Sequence, residues 1–322
     1  MTRIQAAIIY NPMSGRPGRR AENVREMTRM LAEHRIDAES RATTGPDYAA
    51  RFARESIAQG VQVIISYGGD GTLNEVIQGV AGTEAVLAVW PGGTSNVVAH
   101  DLGMPSDLGQ LATMISANKT KRIALGVARS GDGATAGRDD TATSERIEAS
   151  TSPLAQVARS RYFVMMAGIG LDASIARSVN KKLKRRTGEF AYWLSGIRHF
   201  FLWRGEPFTL ELDGKTYEST FALIGNGKGY GGGMVITPGA RLEDPWFEVY
   251  ILPPLRNNFA YLRALGGCMR GTPEVCGALL VKAKHVKANS AQEPWVEADG
   301  ELIGPLPMTF DVVPDALSLI VP

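Results

Sequence analysis

Short apolar runs alternate with amphipathic stretches through the first 127 residues. Ala6-Ala7-Ile8-Ile9, Val61-Gln62-Val63-Ile64-Ile65 and Val86-Leu87-Ala88-Val89-Trp90 are short, rich in β-formers and bounded by turn residues, as buried strands are. Residues 21–34, 48–59, 73–80 and 108–118 instead carry a helical pattern. This alternation predicts a parallel βαβ sheet over residues 1–127. Beyond Val127 the pattern changes. Residues 131–151 are rich in Gly, Ala, Thr, Ser and Asp without any hydrophobic period, which reads as a disordered surface insert near 130–160. From Arg161 the pattern is mostly strands, at 162–166, 208–212, 216–224, 246–252, 281–288 and 317–321, with Asp213-Gly214 as a hairpin turn. Two helices are expected near 181–202 and 257–266. The expected fold is an α/β N-terminal domain with a parallel sheet, residues 1–127, then a mainly antiparallel β domain, residues 128–312.

Each of the three first-domain strands runs into a turn rich in Gly, Ser, Thr and Asn. The turns are Tyr10-Asn11-Pro12-Met13-Ser14-Gly15, Tyr67-Gly68-Gly69-Asp70-Gly71-Thr72-Leu73-Asn74-Glu75-Val76 and Pro91-Gly92-Gly93-Thr94-Ser95-Asn96. Glycine lets backbone approach a ligand closely, and the first amides of the following helix have no internal partner, so such turns suit a phosphate. Strand ends of one polarity share one edge of a parallel sheet, where ligands bind. Three turns there make a nucleotide-sized site. Asp70 puts a carboxylate beside it, which makes sense when a divalent cation lies between carboxylate and phosphates.

These motifs, in this order and at these separations, resemble the diacylglycerol kinase-like lipid kinases: the bacterial diacylglycerol kinases and their sphingosine and ceramide kinase relatives. The resemblance continues through Phe163-Val164-Met165-Met166-Ala167-Gly168-Ile169-Gly170-Leu171-Asp172-Ala173, Gly188-Glu189-Phe190-Ala191-Tyr192, Asn226 with Gly231-Gly232-Gly233, and Asp299-Gly300-Glu301, so it covers nearly the whole chain. It implies an NAD-kinase-like first domain that binds nucleotide, a lipid-binding second domain, and completion of the first by residues 313–322. It implies ATP and Mg²⁺ as cofactors and transfer of the γ-phosphate to a lipid hydroxyl, most simply diacylglycerol, within phospholipid biosynthesis. Asn11, Pro12, Met13, Ser14, Gly15, Thr43, Gly69, Asp70, Gly71, Thr72, Leu73, Asn74, Glu75 and Thr94 would cradle ATP. Glu301 would be the general base, and Asp70 would act with Mg²⁺ on the phosphoryl charge. A structural Mg²⁺ would be held by Asp244 with the carbonyls of Arg241 and Trp246.

Two positions depart from the family pattern. Ala124, in Ile123-Ala124-Leu125-Gly126, stands where the family usually has aspartate, and Pro245 replaces a glycine of the metal loop. They leave open a nucleotide-binding regulatory protein without turnover. A soluble-substrate kinase of the NAD kinase type is the other alternative, opposed by the lipid-family second half.

Composition adds exclusions. The 322 residues are 44% hydrophobic and 21% charged, an ordinary globular profile large enough for two cores. A net charge of +2 is too small to imply nucleic acid. Cys268 and Cys276 have no metal-type spacing and fit a reducing compartment. No apolar segment reaches the ~18 residues that span a bilayer, so a cytoplasmic protein peripheral to the membrane is expected. A homodimer is left open. Lys181-Lys182-Leu183-Lys184-Arg185-Arg186, followed by several aromatics, reads either as a headgroup-facing segment or as the solvated start of a core helix. Gly168-Ile169-Gly170-Leu171-Asp172-Ala173 mimics a dinucleotide fingerprint, but Glu189, at the required spacing, is not at a strand end. Close backbone packing is the favoured reading.

Overall fold

The computed structural model describes residues 3–14, 19–131, 160–170, 205–230, 234–255 and 258–322. The expected insert, the basic run at 181–186, the helix near 181–202, Glu189 and Gly231–Gly233 fall outside the described residues.

Four strands open the chain: β1 (Ile4–Tyr10), β2 (Ile36–Ala42), β3 (Val63–Gly68) and β4 (Val86–Pro91). They lie parallel in the order β2-β1-β3-β4. β3 is buried along its whole length and β1 through Ala6, Ala7, Ile8 and Ile9, as strands covered on both faces are. β2 keeps only Ile36 fully buried, and its polar residues blunt the sheet edge. The connecting helices are α1 (Arg20–Glu33), α2 (Tyr48–Ala58), α3 (Asp70–Val80), α4 (Val97–Asp101) and α5 (Leu108–Ala117). Val24, Met27 and Leu31 of α1 repeat at three and four residues and form its buried stripe. Gly79 lets α3 lie against α2, because a Cβ there would collide with the Ala50 carbonyl. Because the strands are parallel and each runs into a helix, the three glycine-rich turns emerge at one edge.

The second half is a sandwich. Its strands are β5 (Thr120–Ser130), β6 (Ser160–Phe163), β7 (Met166–Ile169), β8 (Phe208–Leu212), β9 (Lys215–Ser219), β10 (Phe221–Gly225), β11 (Gly229–Tyr230), β12 (Met234–Val235) and β13 (Phe247–Leu252). After α6 (Asn258–Met269) come β14 (Leu279–Ala283), β15 (His285–Asn289), β16 (Trp295–Ala298), β17 (Glu301–Pro305) and β18 (Met308–Ile320). One sheet is wholly antiparallel, in the order β14-β13-β10-β7-β16-β17. The other continues the parallel sheet. Ser318 and Leu319 of β18 pair with Val86 and Leu87 of β4, while its opening residues Met308–Asp311 pair with β15, followed by the β8–β9 hairpin. β5 runs antiparallel along β18 from Ser130 to Thr120. This two-stranded ribbon carries one ten-stranded sheet from the first layer into the second.

Four strand expectations need correction. Residues 162–166 divide between β6 and β7, with the break at Val164–Met165. Residues 216–224 form two strands that break at Ser219–Thr220, and 281–288 break at Lys284. In each case one piece joins each sheet, so these are sandwich corners. No Gly or Pro stands at these corners, so no turn residue marks them in the sequence. The last strand begins at Met308 rather than 317.

Phe163 is the centre of the second core, fully buried and packed near Phe247 (5.7 Å) and Phe310 (6.5 Å). Its ring covers Gly126, its partner on β5, and a Cβ at Gly126 would enter the ring. Gly126→Ala is therefore expected to destabilise the protein by about 1–3 kcal/mol through overpacking, and adding Phe163→Leu should restore part of that loss. Urea unfolding checks this. An unchanged midpoint for Gly126→Ala would mean the strand has room the structure does not give it.

Candidate functional site

The three turns hold one another by backbone contact. Asn11 donates its amide to the Tyr67 carbonyl (3.3 Å), and its side chain accepts from the Met13 amide (2.9 Å). Gly69 caps α3, and the third turn lies against it. A Cβ on Gly93 would be 2.5 Å from Gly69 Cα, so only glycine fits. Asn96, in the left-handed region at φ 45°, accepts from the Gly93 amide and donates to its carbonyl, both at 2.8 Å. Arg20, 5% exposed, lies over the Tyr67 ring and ties the first turn to the third through the Ser14 carbonyl (2.7 Å) and the Gly92 carbonyl. Asp70 begins α3, and its Oδ1 accepts the Val97 amide at 2.7 Å. The helix start expected at Leu73 is thus Asp70.

The second half reaches this edge through Asp299. Its Oδ1 accepts the amides of Met165 (2.9 Å) and Met166 (3.1 Å), and its Oδ2 accepts the Val164 amide (2.7 Å) and Asn74 Nδ2 (3.2 Å). One carboxylate thereby joins the β6–β7 junction to α3. Gly300, at φ 82°, completes the turn, and its amide bonds Glu297 Oε2 (2.7 Å). Glu301 follows. Its Oε2 pairs with Arg161 Nη2, and its Oε1 would lie 3.5 Å from a Cβ placed on Gly71, in the first turn of α3. Arg161 also donates to Asn74 Oδ1 (3.0 Å). Gln78, one turn along α3, bonds the Tyr162 carbonyl (2.9 Å) and amide (3.0 Å).

Of the residues expected around a nucleotide, Asn11, Pro12, Met13, Ser14, Thr43, Gly69, Asp70, Gly71, Thr72 and Thr94 lie on the one sheet edge, and Gly15 lies outside the described residues. Three side chains are committed elsewhere. Leu73 is in the core, Asn74 bridges to Asp299 and Arg161, and Glu75 accepts the Ala49 amide (3.3 Å) at the start of α2. Burial raises the Glu75 carboxyl above the usual range, and the Glu301 charge adds to that rise. The sequence reading missed Arg161, Asn74 as a bridge, Asp299 as a hub and Arg20 as a clip. The Asp299-Gly300-Glu301 motif contained a signal for one of them. A lone arginine opening a strand contained none.

A divalent ion arriving with nucleotide phosphates would find one oriented carboxylate, Asp70. That fits Mg²⁺, which commonly takes one or two carboxylates when phosphates and water supply the rest. Among the described residues no three His, Cys, Asp or Glu side chains cluster as a metal cage. The loop of Arg241, Asp244 and Trp246 is separate. There the Asp244 amide donates to the Arg241 carbonyl (2.9 Å), and the Leu242 carbonyl accepts the Ala124 amide (2.7 Å). Ala124 is fully buried, and its own carbonyl accepts from Asn226 Nδ2 (3.0 Å). The strand that carries the fingerprint-like glycines is not parallel to its neighbours. Gly168 lies in β7, antiparallel to both neighbours, and Gly170 adopts φ 94° against the Thr220 carbonyl.

Burial pushes the Asp299 carboxyl up to about 6, against three backbone amides that draw it down, and the Asp70 charge adds to the rise. The folded protein therefore holds this proton more tightly than the unfolded chain. The group's contribution to stability is complete below the unfolded value of 3.8 and is lost as pH rises through about 6. The melting temperature of the wild type minus that of Asp299→Asn is expected to fall between pH 4 and pH 6. Thermal unfolding across that window checks it, and a flat difference would contradict the enclosed carboxyl.

Residues 5–128 match the family model of the diacylglycerol kinase catalytic domain, and residues 165–321 match that of the YegS C-terminal NAD kinase beta sandwich-like domain. The diacylglycerol kinase of Bacillus subtilis (strain 168) is 29% identical over 311 residues, covering 95% of this chain and 92% of that protein. That of Staphylococcus carnosus (strain TM300) is 27% identical over 327 residues, covering 96% and 92%. A crystal structure of a diacylglycerol kinase from Bacillus anthracis str. Sterne superposes with a TM-score of 0.73 at 24% identity over 99% of this chain and 97% of that one, a likeness of fold. With both family models matched in order, the chain belongs to the diacylglycerol kinase-like family of kinases.

Proposed function

We propose that this protein transfers the γ-phosphoryl group of ATP to a lipid hydroxyl, most simply that of diacylglycerol, giving phosphatidic acid and ADP. The observation that carries the reading is the position of Glu301, whose Oε1 faces Gly71 in the first turn of α3. A helix N-terminus in a glycine turn suits phosphate oxygens, and a carboxylate beside it is within reach of a hydroxyl proton. In the reaction the lipid oxygen bonds to the γ-phosphorus, the bond from that phosphorus to the β-bridging oxygen breaks, and the hydroxyl proton passes to Glu301. The turns around Asn11, Gly69 and Thr94 would hold the nucleotide. A divalent ion on Asp70, Mg²⁺ in our reading, would neutralise phosphate charge. Asp244 with the Arg241 and Trp246 carbonyls is proposed as a second, structural ion site. No helix among the described residues is long and apolar enough to cross a membrane, in keeping with peripheral contact with a lipid surface.

The deciding assay is labelled ATP with a panel of lipids in detergent micelles, and with NAD as a soluble acceptor. Labelled lipid phosphate supports the reading. Labelled NADP or no product overturns it, the latter in favour of a nucleotide-binding protein without turnover. In the active enzyme, Asp70→Asn removes a charge and almost no volume and is expected to abolish turnover while leaving thermal unfolding unchanged. Glu301→Gln is expected to slow phosphorylation by about 10²–10⁴-fold without weakening ATP binding measured by calorimetry. Near-wild-type rates in either variant would remove that residue from the mechanism.

A further inference from the structure

We propose that Arg161 is a ligand of the transferred phosphate, and that it exchanges Glu301 for that phosphate when ATP binds. The proposal rests on the lipid-kinase reading above. Four carboxylates belong to α3 or bear on it: Asp70 and Glu75 on the helix itself, Asp299 through Asn74, and Glu301 beside Gly71. Burial and the Glu301 charge raise Glu75, and burial with the Asp70 charge raises Asp299, so the acids act on one another. A triphosphate entering this group adds further negative charge. Arg161 is a cation bonded to this group through Glu301 Oε2, and it also donates to Asn74 Oδ1.

The arginine is held but not satisfied. Its side chain is 20% exposed, and among the described residues its side-chain bonds come from Nη2 while its buried Nε has no hydrogen-bond partner. Guanidinium offers five donors in a planar fork that matches phosphate, and a buried donor left without an acceptor is costly. The fork has donor capacity that suits an anion. Glu301 now stands between this guanidinium and Gly71 of α3, with one oxygen toward each. A carboxylate between a guanidinium and a helix N-terminus occupies ground that suits a phosphate. If Glu301 takes the hydroxyl proton, its partner Arg161 lies at the γ end of the nucleotide. Moving the guanidinium onto the γ-phosphate would free Glu301 Oε2, and it would place positive charge between the base and the group being transferred. The base would then become available only once ATP is bound.

The test compares ATP with ADP, each with Mg²⁺, by calorimetry on the full chain, because only ATP carries the γ-phosphate. Arg161→Met is expected to weaken ATP by about 10- to 100-fold, the worth of a hydrogen bond to a charged group, and to leave ADP affinity within about twofold. Arg161→Lys keeps charge without the fork and is expected to fall between. It decides the question should the methionine variant fail to fold. In Arg161→Ala, added guanidinium is expected to restore part of the lipid phosphorylation rate. Equal loss of ATP and ADP affinity, or no loss of either, would make Arg161 a prop for the turn and overturn the proposal. Binding of neither nucleotide to the wild type would overturn the kinase reading itself and this proposal with it.

Discussion

Four hydrogen bonds converge on the Asp299 carboxylate, three from consecutive amides of the β6–β7 junction and one from Asn74 on α3. The carboxyl is deep enough for burial to outweigh those amides, so it holds its proton to a higher pH than an ordinary carboxylate, up to about 6. It persists because the amides of Val164, Met165 and Met166 need an acceptor where the chain leaves one strand for the next. A buried amide without one costs as much as a lost hydrogen bond or more. The interaction therefore fixes three things together: the turn at the domain junction, the position of α3, and, two residues on, the side chain of Glu301.

The large-scale architecture makes that contact available. The β5–β18 ribbon extends the parallel sheet into the sandwich, so the second half cannot rotate freely about a linker. Within this frame the glycine turns meet at backbone distance. Gly93 touches Gly69, Arg20 clips Ser14 to Gly92, and Val97 holds Asp70. The first half supplies an edge lined with amides and a carboxylate. The second brings Arg161 and Glu301 over it. A phosphoryl-transfer site needs both, since positioning and charge neutralisation do most of the catalytic work.

Local physics made the first half readable. Strands covered on both faces appear as continuous apolar runs, helices repeat at three and four residues, and glycine turns sit between them, so β1, β3, β4 and α1 lie close to where the pattern places them. The sandwich was less legible because no Gly or Pro marks its corners at Ser219 and Lys284, although the chain changes sheet there. The turns could be recognised, but the partners of their residues could not. Asn74 and Glu75 read as ligand-facing, yet their side chains serve Asp299, Arg161 and the start of α2. Arg161 is separated from Glu301 by 140 positions. No spacing rule connects them, because β6 and β17 belong to different sheets and meet only when the two sheets pack together.

The central claim is that one carboxylate assembles the junction on which the site stands. Amide hydrogen exchange over residues 160–170, compared between the wild type and Asp299→Ala, tests it most directly. The account predicts that the Val164, Met165 and Met166 amides lose their protection in the variant while those of β1 and β3 keep theirs. Retained protection at all three amides would contradict it, since the junction would then be held by something other than Asp299.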